Sequence, residues 1–469
     1  MRSLALLIAA ATILISVGGC TRRPNIVLIS IDSLRADHVG AYGYAKPTTP
    51  AIDKLAEEGA IFRRTVSTTS WTLPAHVALL TGQPDSVHGV VMPYRRLGRK
   101  AVTLADHLSE SGYRTVGFYS GPFLHPVFGF DQGFDDYVDC TSYRLGDTLP
   151  ADGEASAKAI RESHAISHGD VTNPTVLKSF VDALEQTDRR PFFFFVHLWD
   201  VHYDFIPPPP YDRMFDANYD GDVTGGQFRH SDLVRPDMAK RDLEHVIALY
   251  DGEIRSTDDT IGAMLEALES RGLDDRTLVV VTSDHGEEFF DHGDKGHRNT
   301  LYEEVVRVPL VMWYPKVIRP GSVDEVTGII DIAPTILAVA GVPAMKSAVG
   351  VSLEAALVEQ PASVSQPRPY LSELRAPPMS AVRVDDKKLI VDHRKDTVAY
   401  FDLAEDPLEN SPVTEHQQPE VASEIARLKN LIMAMKRRYA QLGNELADVE
   451  EAKIDEQTTE ELRSLGYLD

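Results

Sequence analysis

The stretches Asn25-Ile26-Val27-Leu28-Ile29-Ser30-Ile31-Asp32 and Thr277-Leu278-Val279-Val280-Val281-Thr282-Ser283-Asp284-His285 share one pattern, an apolar, β-branched run that stops on an acidic residue. Neither run alternates apolar with polar positions, so each reads as a strand buried on both faces, as the strands of a parallel sheet are. Residues 113–119, 191–197 and 308–313 carry runs of the same kind. Between them, residues 50–59, 74–80, 103–112 and 245–272 read as helices. Alternation of strands and helices predicts an α/β fold whose central, mostly parallel sheet is flanked by helices.

Open α/β sheets bind ligands where strands end and loops begin. Three of the predicted strands run straight into polar clusters: Asp32 after the first, residues 197–202 after the third, and Asp284-His285 after the fourth. A carboxylate leaving one strand and an Asp-His pair leaving another supply hard oxygen and imidazole ligands for a divalent cation. Each also has a plainer use, Asp32 as a helix cap and Asp284-His285-Gly286 as a turn. A third element is Trp71-Thr72-Leu73-Pro74-Ala75-His76-Val77-Ala78-Leu79-Leu80-Thr81-Gly82. Thr72 stands just before a predicted helix with proline near its first turn, where free amides and the helix dipole favour negative charge. A hydroxyl placed there beside a metal can ionise and attack an ester; an N-cap threonine is the plainer alternative.

The chain opens with Arg2, an apolar run over residues 4–17 and Val17-Gly18-Gly19-Cys20. That run has the length of a secretory signal and is short for a permanent bilayer span. Small residues just before a cysteine resemble a bacterial lipobox, in which cleavage leaves Cys20 as the lipidated first residue; ordinary secretion with a chance cysteine is the alternative. Residues 1–20 are thus expected to be a lipoprotein signal peptide, and the protein to sit at the bacterial cell envelope, on a periplasmic or extracellular face, held to the membrane by its lipid. No later segment is apolar enough for a membrane helix. Cys140 is the only other cysteine, so the processed chain has no intramolecular disulfide, and Cys140 reads as a small buried hydrophobe. With 71 acidic against 47 basic residues, the formal charge of −24 argues against nucleic acid as a partner. An anionic substrate would have to be caught by local cations.

The chain is too long for one simple core. Residues 21–345 are expected to form one large domain. After Pro343 the pattern changes to short alternating runs at residues 370–373, 381–384, 388–391 and 398–401, followed by a helix over 420–441. Residues 346–446 therefore read as a small C-terminal α+β subdomain, and residues 447–469 as a loosely docked acidic tail. Residues 212–235, with many Gly, Asp and Asn, read as a surface insertion.

Residues 72–82 resemble the sulfatase signature Cys-x-Pro-Ser-Arg-x-x-Leu-Leu-Thr-Gly. The likeness extends to Asn25-Ile26-Val27-Leu28-Ile29, Thr49-Pro50-Ala51-Ile52-Asp53, His88-Gly89-Val90 and Asp200-Val201-His202. It continues through Ser283-Asp284-His285-Gly286-Glu287, Leu301-Tyr302-Glu303-Glu304, Arg307-Val308-Pro309 and Tyr400-Phe401-Asp402-Leu403 with Asp406-Pro407. These matches follow the family's order over nearly the whole chain beyond the signal, which is identified as a member of the sulfatase family of the alkaline phosphatase superfamily. The resemblance implies that residues 21–345 form a sulfatase-like catalytic domain and that the protein is a metal-dependent ester hydrolase. Carried over by position, it makes Asp32, Asp284 and His285 metal ligands and Thr72 the nucleophile. His202 and His297 would hold the substrate's anionic oxygens or protonate the leaving group, with Lys295 also placed at the substrate. Many sulfatases have Gly-Lys where this chain has Gly296-His297; a histidine there can still donate a hydrogen bond but is fully charged only below its pKa. His197 reads as a packing or ligand-orienting residue, and Arg35, His76 and His88 as groups that orient ligands or simply pack. One divalent ion is implied: Ca²⁺, Mg²⁺ or Mn²⁺ suits oxygens plus one imidazole, and further histidines would favour Zn²⁺.

The departures from the family pattern bear on the reaction. Thr72 replaces the family's modified Cys or Ser, Ala75 its next Ser, His76 its Arg, and Ser33 its second Asp. Sulfatases use an aldehyde hydrate, formylglycine, that attacks sulfur and then expels sulfate through its second hydroxyl. Oxidising threonine gives a ketone, and a sulfothreonine has no second hydroxyl, so no formylglycine is expected. A phosphothreonine can be opened by in-line attack of water. The pattern resembles the threonine-nucleophile branches of the superfamily: phosphonate hydrolases, nucleotide phosphodiesterases and lipoteichoic acid synthases. The expected activity is hydrolysis of an anionic ester, with a phosphodiester, phosphonate or phosphate ester ahead of a sulfate ester. The alternatives are a sulfatase acting on a glycan or aryl sulfate, a phosphoglycerol or phosphoethanolamine transferase, and a catalytically dead glycan-binding protein. Such transferases usually carry membrane helices, and a binding protein has no need of a nucleophile between metal ligands.

Overall fold

The structure is a computed structural model that describes residues 23–141, 171–186, 188–358, 367–414, 421–454 and 459. The expected signal peptide and its Cys20 lie outside the described residues. In chain order the strands are β1 (Asn25–Ile31), β2 (Ala60–Val66), β3 (Arg95–Leu97), β4 (Arg114–Tyr119), β5 (Asp136–Asp139), β6 (Phe192–Leu198), β7 (Thr277–Ser283), β8 (Glu288–Phe289), β9 (Lys295–Gly296), β10 (Arg307–Trp313) and β11 (Gly321–Gly328). β12 (Pro369–Arg375), β13 (Pro378–Val384), β14 (Lys387–Asp392), β15 (Thr397–Asp402) and β16 (Val449–Glu451) follow.

Eight strands form the central sheet in the order β11-β2-β10-β7-β1-β6-β4-β5. β1 lies in the middle, parallel to both β6 and β7, and every one of its residues is buried. Its side chains alternate between two cores, as the pleat requires. Ile26 and Leu28 meet the Thr72–Thr81, Leu104–Glu110 and Ile332–Val339 helices. Val27, Ile29 and Ile31 meet the Pro50–Glu58, Asn173–Glu185 and Lys240–Glu269 helices on the other face. Burying a large apolar side chain contributes about 1.5–3 kcal/mol, so the two faces of β1 hold the domain together. The expected α/β architecture is therefore observed.

β10 was expected as another parallel strand and instead runs antiparallel to both β7 and β2. The segment between β7 and β10 stays at the carboxyl end of β7, with only the four-residue Glu303–Val306 helix just before β10. With no crossover to carry the chain to the far edge, β10 must run back. β2 and β11 escaped the apolar-run criterion because Arg63, Arg64, Asp324 and Glu325 interrupt them, and β11 is an edge strand with exposed positions.

The C-terminal subdomain is the antiparallel sheet β12-β13-β14-β15. One face packs on Val66, Leu301, Val305 and Val306 of the large domain, and the other on the Ala422–Leu446 helix through Ile425, Leu428 and Ile432. The start of the tail is better anchored than expected. β16 pairs with β3, and Asp448 accepts the Gly98 and Lys100 amides. Residues 212–235 are likewise no mere surface insertion, since Val223, Phe228 and Val234 are buried in the core on the β1 face formed by Val27 and Ile29. No helix among the described residues is long and apolar enough to cross a membrane. Cys140 is buried, and burial pushes its thiol up to about 12, so it stays an uncharged hydrophobe at neutral pH.

Candidate active site

Sheet register assembles the site. Ile31 pairs with Ser283 on one side and Leu198 on the other, so the next residues of β1 and β7, Asp32 and Asp284, emerge side by side at the carboxyl edge. Ser33, in the left-handed region at φ 57°, turns the chain there. Its amide donates to Asp284 Oδ1 (3.2 Å), and its hydroxyl donates to Asp32 Oδ1 (2.8 Å). The His285 amide also donates to Asp284 Oδ1 (2.8 Å). Both Oδ1 atoms are thereby held, while both Oδ2 atoms are buried without a hydrogen-bond partner among the described residues. Ser33 thus aims the two carboxylates, a role for which its place as a departure from the family pattern was the only sequence signal.

Asp32, Asp284 and His285 place candidate ligand atoms within 4.8 Å of one another. His285 Nδ1 lies 2.9 Å from the Gly286 carbonyl and donates to it, which turns the lone pair of Nε2 towards the carboxylates. Burial raises the pKa of Asp32 to about 6, an effect that His285 and the Ser33 hydroxyl partly offset. Burial and the nearby Asp32 also raise that of Asp284. Two buried carboxylates with unpartnered oxygens resist ionising together without a positive charge between them. The donor set fits a divalent cation.

Thr72 is the first residue of the Thr72–Thr81 helix, not the residue before it; Trp71 is the cap and makes no side-chain cap hydrogen bond. The Thr72 hydroxyl is therefore free of capping. It lies 3.2 Å from His285 Nε2 and also faces Asp32. His76, one turn on, is fully buried. Its Nδ1 is 2.9 Å from the Thr72 carbonyl and its Nε2 2.9 Å from Ser30 Oγ, tying the first helical turn to β1. Burial lowers its pKa to about 4, so at neutral pH it carries no charge. It steadies the turn that carries Thr72 and supplies no positive charge.

His202 and His297 are brought together, their rings 5.0 Å apart, and the His297 ring is 4.4 Å from that of His285. His202 stacks on Trp199 at 3.9 Å, with Nδ1 against the Tyr203 carbonyl. His297 Nδ1 faces the buried Glu287 carboxyl (3.2 Å), and its Nε2 has no hydrogen-bond partner among the described residues. Burial, then His285 and His202, hold His297 well below its usual pKa, so it is a neutral imidazole. Lys295 is not part of this group. Its ammonium donates to the Val234 carbonyl (2.6 Å) and Ser231 carbonyl (3.4 Å), because residues 212–235 fold over β9. From the same segment Arg229 donates to the Lys295 carbonyl (3.0 Å), which staples the loop carrying His297; nothing in the sequence pointed to it. Arg35 donates to the Glu287 carbonyl and pairs with Asp37 and Asp291, bracing the loop after His285. His88 sits with Asp85 on its own short helix (3.5 Å).

The Thr72 hydroxyl thus stands in the first turn of a helix beside a cation-fitting carboxylate pair at the carboxyl edge of an α/β sheet. The sulfatase family model matches residues 24–342, and a model described as N-sulphoglucosamine sulphohydrolase, C-terminal, matches residues 290–438. The chain belongs to the sulfatase family. It is 24% identical to an N-acetylglucosamine-6-O-sulfatase of Bacteroides thetaiotaomicron over 501 residues, covering 89% of this chain and 87% of that one. Its fold is similar to that of a protein solved with its substrate D-glucosamine-2-N,6-O-disulfate (TM-score 0.72, 20% identity, 90% of this chain and 99% of that one). It is also similar to the phosphonate monoester hydrolase of Agrobacterium radiobacter (TM-score 0.69, 22% identity, 89% and 96%).

Proposed function

We propose that the protein hydrolyses an anionic ester by direct attack of Thr72, and that a phosphodiester, phosphonate or phosphate ester is preferred to a sulfate ester. The observation that carries this reading is the Thr72 hydroxyl itself, uncommitted to capping, at a helix N-terminus and 3.2 Å from His285 Nε2. Asp32, Asp284 and His285 would hold the ion, which when bound stabilises negative charge on the ester oxygens and on the attacking hydroxyl. Thr72 Oγ1 forms a bond to phosphorus as the bond from phosphorus to the leaving oxygen breaks. The proton that Thr72 loses is taken up by the imidazole of His202 or His297, whose rings lie 5.0 Å apart, and is passed on to that oxygen as it leaves. Water then attacks phosphorus in line, the bond to Thr72 breaks, and the water's proton restores the hydroxyl. Ester and water become acid and alcohol. The same sequence with sulfur stalls at the adduct, since threonine has no second hydroxyl with which to expel sulfate.

Sulfate ester hydrolysis is the second reading, favoured by relatives such as the N-acetylglucosamine-6-O-sulfatase. Parallel rates on matched aryl phosphodiester, phosphonate and sulfate esters separate the two, followed by mass analysis of the Thr72 peptide for a trapped adduct. A sulfate ester turned over faster than every phosphorus ester would overturn the preference. An unmodified Thr72 under trapping conditions would overturn covalent attack. We further propose that Cys20 carries a lipid and that the enzyme works at the cell envelope, as the run before Cys20 suggests.

A further inference from the structure

The Ser33 turn that aims the two carboxylates is gripped from a neighbouring helix. We propose that Tyr250, on the Lys240–Glu269 helix, is a positioning residue for the cation: its hydroxyl locks the left-handed Ser33 turn and so sets metal affinity, acting through Ser33 and not on the ion itself. The proposal rests on the reading of Asp32, Asp284 and His285 as a cation site.

Where β1 ends, the chain leaves the sheet and its backbone groups need new partners. The Ser33 amide finds Asp284 Oδ1 (3.2 Å), the Leu34 amide Ser283 Oγ (3.1 Å) and the Arg35 amide the Tyr250 hydroxyl (2.9 Å). The same hydroxyl donates to the Ser33 carbonyl (2.8 Å), so it grips the turn on both sides of Leu34. Asp284 and Ser283 belong to the β7 edge that the turn serves, whereas Tyr250 is anchored independently of it. Its ring is fully buried and packs on His38, Phe205 and Phe289 at 5.1, 5.3 and 5.0 Å. Burial raises its phenol well above the ordinary value, so the proton donated to Ser33 is present at every working pH. A serine at φ 57° occupies a sparsely populated region, and such a conformation persists only where its surroundings over-determine it. If that turn relaxes, the amide on Asp284 and the hydroxyl on Asp32 move together, and the two carboxylates lose their common aim. Outer contacts of this kind tune a metal site without supplying a ligand.

The test is competition between the metal-stripped full chain and a chromophoric chelator, with Zn²⁺ and Ca²⁺ titrated separately, alongside thermal melts of the stripped proteins. The proteins are wild type, Tyr250→Phe, Ser33→Ala, the double variant, Asp284→Ala and Tyr370→Phe, each checked for folding by circular dichroism. Tyr250→Phe keeps the ring and its packing and removes one oxygen. It should weaken binding of the metal that the wild type prefers by about 10–100-fold, the range for outer contacts. Tyr370→Phe removes a buried hydroxyl that donates to Asp331 (2.6 Å) in the C-terminal subdomain's contact with the large domain. It should lower Tm and leave metal affinity within about twofold, as a distant change does. Ser33→Ala should also weaken binding. The double variant should fall short of the product of the two single losses by about fivefold or more, because both act on one turn. Losses that multiply, or a comparable loss in Tyr370→Phe, overturn the proposal. So does a Tyr250→Phe chain that does not fold, since its hydroxyl would then serve the fold. If Asp284→Ala abolishes binding while Tyr250→Phe binds as wild type does, the cation site stands and only Tyr250 is excluded. A wild type that binds neither metal defeats both readings.

Discussion

Replacing Asp32 by asparagine should stabilise the metal-free protein while abolishing its activity. Burial lifts the Asp32 pKa from 3.8 to about 6. An acid whose pKa is raised on folding favours the folded state only while protonated. Its contribution is complete below pH 3.8 and is lost as pH climbs through about 6. At 1.36 kcal/mol per pH unit, that rise removes roughly 3 kcal/mol from the stripped wild type by pH 8. An amide of the same shape has no charge to desolvate and escapes the loss. With an unfolding entropy of about 2.1 cal/mol/K per residue and ~450 residues, 3 kcal/mol corresponds to about 3 °C in Tm. Calorimetric melts of chelator-treated Asp32→Asn and wild type are the assay. The variant should melt about 3 °C higher at pH 8, the difference should shrink towards pH 4, and added metal should raise only the wild type. A variant that melts below the stripped wild type by the same margin at both pH values would refute the reasoning, because Asp32 would then be an ordinary hydrogen-bonding residue.

Thr72→Ala should lower turnover of the best phosphorus ester by more than about 1,000-fold and leave metal binding intact, since only the attacking oxygen is removed; kinetics with metal analysis checks this. Thr72→Cys should not become an efficient sulfatase even when a formylglycine-generating enzyme is supplied, because His76 stands where the family has arginine; aryl sulfate assays decide it. Asp284→Ala, or chelation of the wild type, should abolish turnover with the fold retained, and metal-free protein at full activity would remove the ligand assignment. Apparent metal affinity should fall as pH drops below about 6, where protons compete for Asp32, and titrations at pH 5 and 7.5 would show it. Cys20→Ser should move the protein from the membrane to the soluble fraction with activity unchanged, and persistence in the membrane after a salt wash would rule out the lipid.

The strands β1, β6 and β7 were legible because burial on both faces demands an unbroken apolar run, and the residues that break those runs are the ones at the ligand-binding edge. β2 and β11 were not, since an arginine pair or an acidic pair on partly exposed faces erases that signal. Asp32, Asp284, His285 and Thr72 came from motif position, and the fold does bring them together. Lys295 came from the same motif and is drawn away, because whether its ammonium faces a substrate or a carbonyl depends on how residues 212–235 fold over it. Arg229 and the tail strand β16 were invisible for the same reason, as their partners are far away in the chain.

By itself, the sequence determined the α/β class, the buried central strands of the sheet, the family, and the chemical types of the candidate ligands. All of these follow from local periodicity and short motifs. Only the tertiary structure decided that β10 runs backwards, that Ser33 leaves one oxygen of each carboxylate unpartnered, that Thr72 is not a cap, and that His197 stands against Asp32. Each of those depends on which strands become neighbours and in what register. Register is a property of the packed sheet and is not contained in any one segment.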